Sequence, residues 1–171
     1  MRKVEVEPYQ EKWPTMFLEE AKKLREVFPT EILEIHHIGS TSVPGLHAKP
    51  ILDLMPVVKD ISNVDQFNEQ MKQLGYTPKG ENGNPQRRYF EKGGDQRSHH
   101  VHFYEEGSCE IKRHLAFRDY LRTHPDERQQ YGELKQELAR QFPYDIASYI
   151  KGKEELVRKI ERKALVWFER G

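Results

Sequence analysis

Cysteine is nearly absent from this chain, since Cys109 is the only one among 171 residues. A single cysteine excludes an intrachain disulfide framework and a zinc site built on paired cysteines. The chain also lacks any apolar run near the roughly 20 residues of a membrane-spanning helix. Its first residues, MRKVEVE, lack the apolar core of a signal peptide. These absences favour a cytoplasmic protein with no membrane partner.

Net charge is absent as well, because Lys plus Arg and Asp plus Glu each count 28. Without an overall basic excess, a nucleic-acid partner is disfavoured, and any phosphate chemistry must rest on a local patch. Aromatic residues nevertheless make up 11% of the chain, and apolar residues recur at regular spacing, as in folded proteins. We expect a single domain over residues 1–171.

The apolar periodicity predicts an α+β fold, in which a small mixed β-sheet is flanked by helices. Residues 1–107 are expected to form an α/β core, and residues 108–171 a helical C-terminal portion. Residues 2–9 are expected to form a short strand or an extended arm, and the other predicted strands are 31–38, 49–59, 76–78, 87–92 and 98–105. The predicted helices are 9–28, a second helix that Asp60 or Ser62 caps and Gly75 ends, 109–122, 125–141 and 145–170.

The largest group of neighbouring candidate binding residues follows the strand predicted at 31–38. Gly39 and Ser40 form a turn there, and Thr41 and Ser42 add two further hydroxyls. Backbone N–H groups and hydroxyls in such a turn can hold a phosphate. The alternative is a simple strand exit with a serine helix cap.

Asp53 interrupts the apolar strand predicted at 49–59. A carboxylate in such a run is costly unless it is paired, hydrogen-bonded or bound to a metal. The functional interpretation is a cation ligand at the edge of a cleft. The alternative is a structural ion pair with Lys49 or an arginine.

His100 and His102 share one face of their predicted strand, because side chains alternate along a strand. Two adjacent imidazoles can bind a transition metal, hold a phosphate or transfer a proton. A structural hydrogen-bonded pair is the alternative. With Asp53 or His37 as a third ligand they would suit a zinc site.

Several blocks of this sequence form a recognisable pattern: HIGSTSVPGL at 37–46 with KPI at 49–51 and Asp53, HVH at 100–102, RHLAFRDYLR at 113–122, His124-Pro125, and Tyr131 with Leu134 and Lys135. Together they resemble the GrpB family of small bacterial proteins. The resemblance extends over nearly the whole chain. It implies a nucleotidyltransferase-like fold, a nucleotide or other phosphorylated ligand, and Mg²⁺ as the metal.

One residue departs from the pattern of active nucleotidyltransferases, whose strand carries two acids one residue apart. Met55 occupies the position of the second acid after Asp53. A thioether does not serve Mg²⁺, which prefers hard oxygen ligands. Whether the protein is an enzyme is therefore left open.

Cationic side chains supply further candidates for phosphate contacts. Arg88 is preferred over its neighbour Arg87, since the two face opposite sides of a strand and the Arg-x-Phe spacing resembles the family. The resemblance also favours two arginines of the 113–122 block, although a solvated charged face is the alternative for them. The full set of candidate phosphate-binding cations is Lys49, Arg88, Arg113, Arg118 and Lys135.

Three functions follow from these residues. The first is a nucleotidyltransferase-like enzyme that transfers a nucleotidyl group to a small molecule or protein, using Mg²⁺. The second is a non-catalytic module that binds a nucleotide or phosphometabolite. The third is a metal-dependent enzyme in which Asp53, His100 and His102 are the catalytic and metal-binding residues.

Overall fold

The computed structural model describes residues 2–170, and contacts among them define two compact units. The sheet unit comprises residues 11–38 and 51–111, and the helical unit comprises residues 2–10, 39–50 and 112–170. The units are therefore discontinuous in sequence. The expected single domain, with a boundary between residues 107 and 108, stays a prediction.

A five-stranded mixed sheet forms the centre of the sheet unit, in the order β1-β2-β5-β4-β3. Only the β2–β5 pair is parallel, and the other three pairs are antiparallel. The mixed sheet and the helices confirm the predicted α+β class. The strands are β1 (Ile32–Ile38), β2 (Leu52–Val58), β3 (Tyr76–Pro78), β4 (Arg88–Lys92) and β5 (His99–Glu105).

One part of the core of the sheet unit lies on the face of the sheet that carries Phe90 and Phe103. Helix α1 (Lys12–Val27) buries Trp13 and Leu24, and Phe28 follows it. The ring centroid of Phe28 lies 5.0 Å from that of Phe103, which in turn lies 5.5 Å from the ring centroid of Phe90. Buried aromatic and aliphatic surface of this kind is the main stabilising contribution to a domain.

Residues 61–73 form one element that differs from the sequence prediction of a continuous helix. A 3-10 helix (Ile61–Phe67) leads into the short helix α2 (Asn68–Gln73). Asp60 caps the 3-10 helix by accepting a hydrogen bond from the Ser62 backbone. The Ser62 hydroxyl also donates to the Asp60 carboxylate, and local polar contacts of this kind disfavour a regular α-helix at this point.

The helical unit is built from α3 (Cys109–Thr123), α4 (Pro125–Gln141) and α5 (Ile146–Arg170), with α3 entering it at residue 112. Residues 2–9 form one isolated bridge, from Glu7 to Ala48, and no regular strand, which agrees with an extended arm, the second of the two alternatives predicted for them. None of the helices within residues 2–170 combines the length and apolar character that crossing a membrane requires. The described part of this unit has two buried clusters: Val43, Leu46, Ala116, Tyr120, Leu121, Tyr131, Ile160 and Ala164, and separately Val4, Leu138 and Tyr149.

Candidate functional site

Asp53 is at the centre of a three-residue cluster in the sheet unit. Its Oδ1 accepts a hydrogen bond from His102 Nε2 at 2.9 Å and lies 3.3 Å from His100 Nδ1. Asp53 in β2 is in register with His100 in β5, and His102 follows on the same face. One ligand atom from each residue lies within 4.8 Å of the others, a spacing that suits a shared metal ion. The structure thus brings together the three residues that were predicted as catalytic and metal-binding.

The two histidines keep Asp53 ionised. Burial alone raises the pKa of this carboxyl group, but hydrogen bonds from His100 and His102 outweigh burial and hold the pKa far below its ordinary value. The cluster therefore offers a carboxylate and two imidazoles.

The outer nitrogen of each imidazole faces an arginine. Arg97 Nη1 lies 3.4 Å from His100 Nε2, and Arg87 Nη1 lies 3.4 Å from His102 Nδ1. A guanidinium group only donates hydrogen bonds, so each outer nitrogen is the acceptor. Each ring therefore carries its proton on the inner nitrogen, which donates to Asp53.

Side chains of β4 complete the surroundings of the cluster. The ring of Tyr89 lies 5.6 Å from that of His100 and 5.2 Å from that of His102. Its hydroxyl donates to Glu91. Burial, together with the negative charges of Glu91 and Asp53, raises the pKa of Tyr89. Tyr89 is therefore a neutral hydrogen-bonding group beside the cluster.

Arg88 and its neighbour Arg87 contact different groups, and the predicted role of Arg88 in phosphate binding stays a prediction. Arg88 forms an ion pair with Asp65 at 2.8 Å. Arg87 instead lies beside His102, with its guanidinium 4.7 Å from the Tyr89 ring centroid. Arg87 precedes the first residue of β4 and belongs to the loop, so strand alternation alone could not assign its direction.

Met55 is fully buried in β2, two residues after Asp53. A thioether thus lies where the resemblance would require a second acid. Among residues 2–170, the group of metal-ligand side chains around Asp53 contains only the two histidines. A carboxylate pair for Mg²⁺ is not found there.

The turn of residues 39–42 belongs to the helical unit. Gly39 has φ 73°, a conformation that glycine adopts without steric cost, and it allows the chain to leave β1 and enter a 3-10 helix (Ser40–Ser42). Thr41 and Ser42 are buried, and the Ser42 hydroxyl donates to the Gly39 carbonyl. Of the predicted phosphate-binding hydroxyls, Ser40 is therefore the least enclosed.

Lys135 in α4 reaches this turn. It is only 2% exposed, and its Nζ donates to Ser40 Oγ at 2.6 Å. The same ammonium lies 4.6 Å from the centroid of the Tyr131 ring. Both contacts stabilise a cation in a buried position.

A second tyrosine of the helical unit, Tyr149, lies close to two more lysines. Nζ of Lys49 lies 5.1 Å, and Nζ of Lys153 5.2 Å, from the ring centroid of Tyr149. The Tyr149 hydroxyl is buried without a hydrogen-bond partner among residues 2–170. Burial and the neighbouring Tyr131 raise its pKa. We refer to Ser40, Lys49, Lys135, Tyr149 and Lys153 as the lysine–tyrosine group.

Two predicted phosphate ligands of α3 are engaged with acids. Arg113 donates to Glu161 at 2.8 Å, and Arg118 donates to Asp119 at 2.8 Å. A role for either in phosphate binding stays a prediction. The sequence analysis missed Arg122, whose Nε donates to the Ser42 carbonyl at 2.9 Å. Only its place in the same arginine-rich block could have indicated it.

Comparisons with known proteins agree with this architecture. The sequence model of a family described as GrpB protein matches residues 3–163. The UPF0157 protein YqkA of Bacillus subtilis (strain 168) is 55% identical over 166 residues, which are 97% of this chain but 48% of YqkA. The chain thus spans about half the length of that relative.

A solved structure of a GrpB protein is also similar to this chain. The crystal structure of conserved protein GrpB from Enterococcus faecalis has a TM-score of 0.93 and 43% identity, covering 96% of this chain and 99% of that one. A structure of Cid1 poly(U) polymerase has a TM-score of 0.47 and 14% identity over 77% of this chain and 45% of that one. The second likeness is too weak to carry an inference.

Proposed function

This chain belongs to the GrpB family, and we propose that it binds a phosphorylated small molecule, with a nucleotide as the first candidate, through Ser40 and Lys135. The observation that carries the proposal is the buried ammonium of Lys135 on the Ser40 hydroxyl. A lysine is rarely enclosed to this extent, because its charge must be compensated. A phosphate oxygen at the same point would form a charge-assisted hydrogen bond.

The rest of the lysine–tyrosine group supports a ligand with more than one negative charge. Lys49 and Lys153 place two further ammonium groups around Tyr149. The buried Tyr149 hydroxyl is a donor without a protein partner among residues 2–170, and a ligand oxygen would satisfy it. A diphosphate or triphosphate therefore suits this group better than a monophosphate.

Whether the ligand is also turned over is a separate question. Nucleotidyl transfer with Mg²⁺ is what the family resemblance implies, but Met55 removes the second carboxylate. This observation favours the second candidate function, a module that binds a nucleotide or phosphometabolite without transferring it. Both candidates need the same binding residues, and both remain proposals, as do Mg²⁺ as cofactor and the cytoplasmic location.

Binding is tested by isothermal titration of the purified protein with inorganic phosphate, pyrophosphate, and the four ribonucleoside triphosphates, with and without Mg²⁺. Lys135→Met removes the charge but retains the side-chain length. The matched control is Lys159→Met, which removes an exposed lysine of the same unit. We expect pyrophosphate or a triphosphate to bind the wild type and the control alike, and Lys135→Met to weaken binding at least tenfold.

The outcomes separate the alternatives. If no phosphate compound binds the wild type, or if Lys135→Met binds as tightly as the control, the proposal is wrong. If a triphosphate binds without being consumed in the presence of Mg²⁺ or Mn²⁺, the module is favoured over the transferase. Consumption of the triphosphate that Asp53→Ala abolishes, while binding persists, would favour the transferase.

A further inference from the structure

We propose that Asp53, His100 and His102 bind a divalent transition-metal ion of the zinc type, and that Arg87 and Arg97 compete with this ion for the two imidazoles. This inference concerns only the sheet unit. It does not depend on the phosphate ligand proposed above, because it is tested with the metal alone.

The chemistry of the three donors selects the class of metal. Two imidazole nitrogens and one carboxylate oxygen suit zinc and related first-row ions, whereas Mg²⁺ prefers oxygen ligands throughout. Three protein ligands with one open position is the arrangement of catalytic zinc sites. The ligand atoms of Asp53, His100 and His102 already lie within 4.8 Å of one another, so a small movement brings them to bonding distance.

The cluster is also reachable from solvent. The side chains of His100, His102 and Asp53 are 18%, 13% and 24% exposed. An ion can therefore enter without unfolding of the sheet, and a water molecule or substrate oxygen can occupy the open position.

The two arginines oppose binding of this ion because the metal changes which nitrogen of each imidazole carries the proton. A neutral imidazole that binds metal through its inner nitrogen carries its proton on the outer nitrogen. The outer nitrogens of His100 and His102 face Arg97 and Arg87, which only donate. Metal binding thus reverses both tautomers and breaks both arginine–histidine hydrogen bonds.

Each arginine keeps other acceptors when its histidine is lost. Arg97 also donates to Glu91 at 2.8 Å and to the Gly94 carbonyl. Arg87 also donates to the Glu81 and Asn82 carbonyls. Release therefore costs one hydrogen bond for each arginine, and neither guanidinium is left without a partner.

The first experiment is a titration of metal-free protein with Zn²⁺, Co²⁺ and Mg²⁺ in a buffer that contains no phosphate. We expect one equivalent of Zn²⁺ or Co²⁺ to bind, with visible absorption from Co²⁺, and Mg²⁺ not to bind. His100→Ala and His102→Ala should each weaken Zn²⁺ binding at least about 100-fold, beyond the loss typical of an outer-shell change. His36→Ala, which removes an imidazole of β1 hydrogen-bonded to Glu34, is the control and should bind as the wild type does.

The second experiment tests the competition. Arg97→Gln and Arg87→Gln should each tighten Zn²⁺ binding by about 3- to 10-fold, since each removes one opposing hydrogen bond. Arg88→Gln, whose arginine pairs with Asp65 instead, is the matched control and should leave the affinity unchanged. Circular dichroism of each metal-free variant verifies that the fold is kept.

Two results would overturn the proposal. The metal site is wrong if no ion binds stoichiometrically, or if both histidine variants bind as tightly as His36→Ala. The competition is wrong if the two glutamine variants bind Zn²⁺ equally or more weakly than Arg88→Gln.

Discussion

Lys135 in α4 donates a 2.6 Å hydrogen bond to the hydroxyl of Ser40, a residue 95 positions earlier in the chain. Lys135 is 2% exposed, so water does not readily replace this acceptor. Ser40→Ala should therefore lower the free energy of unfolding by about 1–3 kcal/mol in the ligand-free protein. Urea denaturation followed by circular dichroism measures this change.

A matched serine elsewhere supplies the control for that measurement. The Ser62 hydroxyl donates to Asp60 in an exposed position. Ser62→Ala should change the free energy of unfolding by no more than about 0.5 kcal/mol, as surface substitutions usually do. Equal losses in the free energy of unfolding for the two variants would show that the Ser40–Lys135 hydrogen bond adds no stability of its own.

Removal of the Tyr149 hydroxyl is expected to change the free energy of unfolding in the opposite direction. Its ring is fully buried, and its hydroxyl has no hydrogen-bond partner among residues 2–170. Tyr149→Phe removes a polar atom that folding has taken from water, so the free energy of unfolding should stay the same or rise by up to about 2 kcal/mol. Urea denaturation of the ligand-free protein measures this effect.

Tyr120→Phe is the comparison for Tyr149→Phe, because the Tyr120 hydroxyl donates to Glu127. Burial and this carboxylate raise the pKa of Tyr120 to about 12. We expect Tyr120→Phe to destabilise the protein by roughly 1 kcal/mol, since it removes a hydrogen bond to a charged acceptor in a partly exposed position. A larger loss from Tyr149→Phe than from Tyr120→Phe would contradict the assignment of an unpartnered hydroxyl.

The parts of the site that follow from local periodicity could be predicted from the sequence. Alternation along a strand placed His100 and His102 on one face, and the structure has both beside Asp53. The antiparallel β4–β5 pair and α4 were likewise predictable, because glycine-rich turns and a proline at a helix start act over a few residues.

The parts that depend on distant contacts could not be predicted in the same way. The parallel register of Asp53 with His100 requires the crossover between β2 and β5. The sequence contains no signal that directs Arg97 to His100, or Lys135 to Ser40. The contact of Arg87 with His102 could not be predicted either, because Arg87 lies in a loop, where alternation of side chains does not apply.

Glu20 supplies a prediction for the opposite face of the sheet. It is 4% exposed and accepts hydrogen bonds at 2.7 Å from both Lys92 and Tyr76. Lys92→Met leaves a buried carboxylate with one fewer partner, which should cost about 2–4 kcal/mol, somewhat less than for a fully buried pair because Lys92 is partly exposed.

The double variant Glu20→Gln with Lys92→Met tests the cause of that loss. Without a charge to compensate, the double variant should be more stable than Lys92→Met alone, as measured by urea denaturation. Equal stability of the two variants would attribute the loss to packing rather than to the unpaired carboxylate.

Acidification should destabilise the protein through His99 and Glu20, whose facing groups lie 3.8 Å apart. Burial lowers the pKa of His99, against the attraction of Glu20, and the charges of Lys92 and Lys23 lower it further. Burial raises the pKa of Glu20, but hydrogen bonds from Lys92 and Tyr76 bring it below its ordinary value. Both groups thus bind protons less readily in the folded than in the unfolded state.

The sign of the pH dependence follows from this difference. Stability from His99 is fully present above its ordinary pKa of about 6.5 and is lost as the pH falls below that value. Stability from Glu20 is lost only below about pH 4.5, where the unfolded carboxylate begins to take up a proton. The free energy of unfolding should therefore be constant above about pH 7.5 and decrease between pH 7 and 5, by at most about 1.4 kcal/mol per pH unit for one proton.

Urea denaturation between pH 5 and 8, with a chelator present to exclude metal effects, measures this decrease. His99→Gln removes the titrating imidazole but leaves Glu20 with Lys92 and Tyr76, so its free energy of unfolding should vary less between pH 7 and 5 than that of the wild type. The same slope in both proteins would assign the decrease to another group. A wild-type protein that becomes more stable on acidification would contradict the direction itself, because a histidine held neutral by burial can only oppose folding once it is protonated.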